Sequence, residues 1–287
     1  MNPQFEVVLN YTLVGATPLV LAALGGLFSE RAGVINIGLE GFMLFGAFFS
    51  ALFAAKSGSW IVGLGAAMIV LAVIGWLYAV FTVSLKTDQV VSGVALNMLA
   101  SGLTLFLVQV FFDRRRSFIL PDEAKVDYRV FVFFAFVLPP LAAVILERTR
   151  FGLRLKAVGE NPKAADTAGI SVLYYRYAGV ILSGMIAGFA GAFLPFYSGS
   201  FVKNMTAGRG FIALATLIFG SWKPFGVLAA GLVFGFADGI QMLLSNQIPA
   251  QFAQMIPYIV TIVILAGFIG RATPPAALGT PYEKESR

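Results

Sequence analysis

The sequence predicts an all-α protein, a polytopic transmembrane helical bundle with about nine membrane segments, some of them broken or half-length. Three observations carry this. Hydrophobic residues fill 59% of the 287 positions and charged residues only 12%, about half the charge of a soluble domain. Most of the apolar runs approach the roughly 20 residues needed to cross a hydrocarbon core of about 30 Å. Runs such as Val90–Phe112 and Phe225–Leu244 are continuous, unlike the short alternating segments of a membrane β-barrel.

In chain order the apolar segments are Val7–Phe28, Gly38–Ala55, Trp60–Leu85, Val90–Phe112, Val130–Leu146, Tyr174–Tyr197, Phe211–Gly220, Phe225–Leu244 and Phe252–Ile269. The N-terminal stretch MNPQFEVVLNYTLVG has no basic region before its apolar run, so it does not read as a signal peptide. Phe211–Gly220 is too short to span at 1.5 Å per residue. It needs Met205–Gly210 to extend it, or it is a half-helix, which occurs at membrane depth where backbone lines a cavity or is buried in protein. No boundary reads as a domain linker, so residues 1–287 form one membrane domain. The tail 271–287, RATPPAALGTPYEKESR, is expected to be extended and polar.

Loop charge gives an orientation. With the loop Arg150–Arg176 inside, twelve of the 20 Lys and Arg residues fall on the inner side, Arg31, Lys86 and Lys223 among them. The outer side receives the other eight, including Lys56, Lys125, Lys203, Arg209 and the opposing run DRRRSF. That is a modest positive-inside bias with the N-terminus outside. The net charge of +6 therefore encodes orientation and implies no nucleic-acid partner.

Several chemistries are excluded. The chain has no cysteine and no histidine, so disulfides, thiolate chemistry, His-ligated metals and His-based acid–base catalysis are absent. No G-x-x-x-x-G-K-[ST] phosphate loop occurs. No catalytic residue, metal site or cofactor is expected.

The polar segment RFGLRLKAVGENPKAADTAGISVLYYR, Arg150–Arg176, has little apolar face but its own helix signals. Asn161 is a good N-cap, Pro162 suits the first helical position, and Gly169 is a natural stop. A helix of about seven residues is marginal alone and needs a docking partner; the plainer alternative is a capped turn. Here the residues resemble a family. RFGLRLKAVGENPKAADTAGI looks like the cytoplasmic coupling segment of ABC importer permeases of the branched-chain amino acid, ribose and nucleoside group. SERAGVINIGLEGFMLFGAF (Ser29–Phe48), AGRGFIALATLIFGSWKPFGVLAAGLVFGFADGIQ (Ala207–Gln241) and AGFIGRATPPAALGTPYEK (Ala266–Lys284) are similar to other parts of the same proteins. The likeness is greatest to the smaller permease subunit of nucleoside uptake systems. It implies a type II ABC importer-like bundle in the bacterial cytoplasmic (inner) membrane. It also implies three partners: a larger homologous permease, an ATPase subunit that binds the coupling helix, and a lipoprotein that delivers the substrate from outside. The coupling residues it marks are Arg154, Gly159, Glu160, Asn161, Pro162, Ala165 and Gly169, with Gly159, Glu160, Asn161, Pro162 and Ala165 touching the ATPase.

Polar residues within or beside the spans are the gate and pathway candidates: Glu30, Arg31, Asn36, Glu40 and Asn97. A charge at the bilayer centre costs about 2.5–3.5 kcal/mol, so these residues lie at an interface, pair, or face water. Two readings stand. Glu30–Glu40 is either a cytoplasmic turn, with Glu40 complementing its own helix start, or a broken-helix gate. Asn97 is either interhelical glue or pathway lining. Asp238 and Gln241 share a helix face. Gly231, Gly235 and Gly239, and the pair Gly184 and Gly188, mark close-packing faces. No aromatic is singled out among 28 Phe as a nucleobase platform.

The function expected from the resemblance is the permease subunit of an ATP-driven importer of nucleosides. Simple sugars or another small polar solute are the alternative. An ion-coupled secondary transporter finds thin support in Glu40 and Asp238, and an integral-membrane enzyme less.

Overall fold

The computed structural model describes residues 3–112, 117–244 and 273–283, together with 249, 252, 255, 256, 259, 260, 262 and 263. The helices are α1 Pro3–Arg31, α2 Leu39–Ser57, α3 Trp60–Ala79 (continued by a wider turn over Val80–Ser84), α4 Gln89–Phe111, α5 Arg129–Arg148, α6 Arg150–Glu160, α7 Pro162–Thr167, α8 Val172–Ser198, α9 Arg209–Phe219 and α10 Pro224–Leu244. Among the described residues seven helices are long and apolar enough to cross a membrane, and α9 is shorter. These correspond to eight of the nine expected segments. The ninth, Phe252–Ile269, falls largely outside the described residues, as do Arg114–Arg116 of the run DRRRSF.

The core is α1, α2 and α8. Phe42, Phe45 and Phe48 of α2 and Leu21, Leu24 and Leu27 of α1 are fully buried. Small residues let the backbones meet. A Cβ at Gly188 of α8 would lie 2.2 Å from the Leu71 side chain, and one at Gly184 would lie 2.6 Å from the Phe42 ring. Along α10, Gly231, Gly235 and Gly239 face Val20, Ala16 and Thr12 of α1 at 2.3, 2.4 and 3.0 Å in the same sense. This is the packing that membrane helices use where no hydrophobic drive separates them from lipid.

The two ends of the bundle differ. At one end the short strands β1 (Ser117–Ile119) and β2 (Ser200–Val202) pair antiparallel, with Phe118 opposite Phe201. Phe201 packs in turn on Phe48 of α2. Lys56 sits 4.1 Å above the Phe111 ring at that end. At the other end the last residues of α1 meet α6, the turn between α9 and α10, and the tail.

Three expectations are corrected. The segment from Arg150 is not a loop holding one polar helix. It contains α6 as well, an amphipathic helix that buries Gly152, Leu155, Val158 and Gly159, positions spaced by three and four on one face. The tail is not a solvated extension over its described part, since Pro275, Ala277 and Tyr282 are buried. Arg209 is not in an outer loop: it is the first residue of α9 and pairs with Asp238 of α10 at 3.6 Å.

Candidate functional site

Two clusters hold the candidate residues, and the segment between α1 and α2 connects them. This segment starts where α1 ends at Arg31 and climbs into the bundle. The Ile35 amide donates to Gln89 Oε1 at the start of α4, 2.7 Å. Asn36 is fully buried and donates through Nδ2 to Ser183 Oγ of α8, 2.8 Å. Asn97 of α4 then clasps the next turn: its Oδ1 accepts from the Gly41 amide at 2.7 Å and its Nδ2 donates to the Ile37 carbonyl at 3.0 Å. At 1.5 Å per residue, Asn97 lies roughly 12 Å beyond the start of α4 and Ser183 roughly 16 Å beyond the start of α8. So α2 begins at membrane depth, with its Gly41 amide capped by a side chain from another helix.

The same happens at α9. Its eleven residues make a rod of roughly 16 Å, half a hydrocarbon core. It ends beside Trp222 near the end of α1, so its N-terminus also lies at depth. Gly208, the residue before it, has no side-chain cap of its own. Glu40 supplies the cap. Its Oε1 accepts from Thr206 Oγ1 at 2.6 Å and the Gly208 amide at 2.9 Å, and its Oε2 accepts from the Gly210 amide at 2.7 Å. A carboxylate is stabilised there by three donors and by the positive end of the helix. A Cβ at Gly210 would lie 2.3 Å from the Glu40 amide nitrogen, so glycine is what lets the two helix starts touch. Glu40 thus complements the start of α9, not that of its own helix. Beside it, Arg209 and Asp238 form a pair whose side chains are 23% and 16% exposed.

The second cluster is the junction at the end of α1. Arg31 donates to the Trp222 carbonyl through Nε (3.0 Å) and Nη2 (2.7 Å), and Trp222 Nε1 donates to the buried Glu30 carboxylate. Sequence neighbours Glu30 and Arg31 therefore grip one residue of the α9–α10 turn instead of each other. Arg31 also faces Glu160, the last residue of α6, at 3.7 Å. Gly159 is pressed against α1: a Cβ there would stand 2.1 Å from the Arg31 carbonyl oxygen. Beyond it, Asn161 accepts from the Ala164 amide at 3.0 Å, Pro162 is the first residue of α7, and Gly169 is left-handed at φ +78°. Arg154 is exposed and reaches the Tyr175 hydroxyl at 3.5 Å.

Two of the residues expected to touch an ATPase subunit face differently from expectation. Ala165 is 4% exposed and Gly159 is fully enclosed. Both point into this chain, because the helix must bury one side against α6 and α8 to be stable at all. The face of α7 left open carries Lys163, Ala164 and Thr167, continued by Ala168.

The described tail crosses this junction, a course its proline-rich sequence does not announce. Ala276 and Ala277 donate to Glu160 and Gly159, Gly279 donates to Gly33, and Arg176 of α8 donates to Thr280. Lys86, between α3 and α4, binds Glu283 at 2.8 Å. The ammonium holds the exposed Glu283 carboxyl below the ordinary glutamate range, so this contact is present at neutral pH and is lost only as pH falls through that lowered value. The tail and the α6–α7 corner together wall a cavity of about 580 Å³ lined by Glu160, Asn161, Pro162 and residues of 276–283. Among the described residues no group of His, Cys, Asp or Glu is placed to hold a metal ion.

Comparison with known proteins places these features in context. The sequence profile described as branched-chain amino acid transport system / permease component matches residues 8–265. The chain is 43% identical to the guanosine ABC transporter permease protein NupQ of Bacillus subtilis, with 98% of each chain covered. It is 41% identical to the nucleoside ABC transporter permease protein NupC of Lactococcus lactis, with 97% of each covered. It is also 25% identical to a second permease of that organism, the nucleoside ABC transporter permease protein NupB, over 93% of this chain and 81% of NupB. No solved structure matches the chain.

Proposed function

The chain belongs to the family of the branched-chain amino acid transport system permease component, and from that premise we propose that it is the permease subunit through which an ABC importer moves nucleosides. The observation that carries this is its likeness, over nearly the whole length of both chains, to permeases named for guanosine and for nucleosides. ATP hydrolysis falls to a separate subunit, consistent with a sequence that lacks the G-x-x-x-x-G-K-[ST] loop. NupB and NupC are two different permeases of one organism, which favours a heterodimer with a larger homologous permease. An external lipoprotein delivers the solute, and the complex sits in the cytoplasmic membrane with α6 and α7 on the inner side.

The physical chemistry fits a neutral cargo. Glu40 is occupied by the start of α9, Arg209 by Asp238, and Glu30 by Trp222. These groups already have partners inside the chain, and an ionic cargo would demand compensation of its own. Glu30, Arg31, Asn36, Glu40 and Asn97 act in this reading as the gate framework that holds the two broken helices, not as a tight site. A solute handed over by a binding protein must also leave.

The test is uptake by the reconstituted complex with its binding protein, comparing labelled purine and pyrimidine nucleosides with ribose, galactose and branched-chain amino acids. ATP-dependent nucleoside accumulation is expected. Accumulation of a sugar or amino acid, without nucleoside uptake or competition, removes the substrate assignment. Uptake driven by a sodium or proton gradient without ATP removes the ATP-driven mechanism as well.

A further inference from the structure

We propose that the tail segment Ala276–Thr280 is a tension strap: it carries the pull of the coupling segment to the broken segment between α1 and α2, and so sets how much transport each ATP yields. The proposal rests on the ABC permease reading above and deepens it.

Consider what joins α6 to the segment that starts at Gly33. Directly, the two touch where Gly159 abuts the Arg31 carbonyl and the Gly33 amide. Such a contact resists compression, because overlap is costly, but it offers little resistance to separation. Among the described residues the direct attraction is the Arg31–Glu160 pair, long at 3.7 Å, with side chains 18% and 53% exposed; Arg31 makes its shorter bonds to the Trp222 carbonyl, so this pair is a loose link. A partner that pushes on the coupling segment is therefore transmitted by packing, while one that draws it away needs another link.

The strap is that link. The Ala277 amide donates to the Gly159 carbonyl at 2.9 Å, and two residues later the Gly279 amide donates to the Gly33 carbonyl at 3.1 Å. The Ala276 amide adds a bond to Glu160 Oε2 at 3.1 Å. The strap thus bonds both bodies at once, across neighbouring residues with little slack. Gly279 sits at φ +77°, and a Cβ there would lie 2.8 Å from the Ile35 side chain, so the crossing is close and needs glycine. The far end is anchored in the bundle: Arg176, 1% exposed, donates through Nη1 to the Thr280 carbonyl at 2.9 Å. A buried guanidinium is costly without acceptors, which keeps that end seated. From Gly33 the connection runs to Asn36 and Ser183, and then to Asn97 and Gly41 at the start of α2.

The test uses the native complex purified through a tag on this chain. Two variants are compared with wild type for recovery of the ATPase subunit, ATP hydrolysis and substrate moved per ATP. One lacks residues 273–287. The other is Ala277→Pro, which removes the amide that binds Gly159, restricts Ala276 before it, and leaves in place the Thr280 carbonyl that binds Arg176. The proposal expects both to keep the ATPase subunit and its hydrolysis, while substrate moved per ATP falls by about fivefold or more, the factor that one net hydrogen bond is worth. If substrate per ATP is unchanged in Ala277→Pro, the strap transmits nothing. If Ala277→Pro instead loses the ATPase subunit, the tail is scaffolding for the docking surface and the proposal also fails. Absence of ATP-driven uptake in wild type sinks the functional reading, and the strap with it.

Discussion

At the scale of single residues, the side chains that matter most are those that satisfy backbone in the middle of the bundle. Glu40 accepts three hydrogen bonds at the start of α9. Glu40→Gln keeps the volume but removes the charge and turns an NH₂ toward an amide donor. It is expected to cost about 1.5–3 kcal/mol, the range for hydrogen bonds to charged groups, and to lower the melting temperature in detergent. An unchanged melting curve contradicts the capping role. Asn97 and Glu40 stand out in the sequence because polar residues within spans must find partners. Their partners are not legible there. Gly41 and Gly210 amides become orphans only once two helices start at membrane depth, and hydropathy does not locate such starts.

At the scale of elements, the long spans were legible because a continuous apolar run of about 20 residues has few other destinations, and α7 was legible from Asn161, Pro162 and Gly169. The face of α7 was not, because its burial depends on α6, whose apolar residues are too few to be noticed as a run. The exposed and enclosed faces of α7 set a test of coupling. Ala168 is open while Ala165 is enclosed. Ala168→Glu is therefore expected to leave the melting temperature unchanged while weakening recovery of the ATPase subunit. Ala165→Glu, which buries a carboxylate, is expected to destabilise the segment itself. The opposite pattern contradicts the assignment of the outer face. Helix packing gives a parallel comparison. A Cβ at Gly235 would meet the Ala16 backbone at 2.4 Å, whereas one at Gly102 meets nothing within 4 Å. Gly235→Ala is expected to destabilise by about 1–3 kcal/mol, as overpacking does, and Gly102→Ala is expected to show no loss by the same thermal assay.

At the scale of the whole molecule, the chain is a bundle in which the starts of α2 and α9 meet at depth and are tied, through one junction, to the exposed face of α7. Composition pointed to the bundle, and the sequence resemblance pointed to the partner. The tie was hidden, because the tail's proline-rich sequence reads as solvated chain until Ala277 and Tyr282 are seen buried at 8% and 9% exposure. In the proposed function that end, which carries Arg31, Lys86 and Arg176, faces the cytoplasm. The central claim, that this end docks the ATPase subunit, is tested most directly by a single cysteine at Ala168 in a chain that has none of its own. Labelling by a membrane-impermeant maleimide is measured in intact cells, in inside-out vesicles, and in vesicles stripped of the ATPase subunit. The account predicts no labelling from outside, labelling in stripped vesicles, and protection when the ATPase subunit is bound. Labelling of Ala168→Cys in intact cells, or equal labelling with and without the bound ATPase subunit, contradicts it.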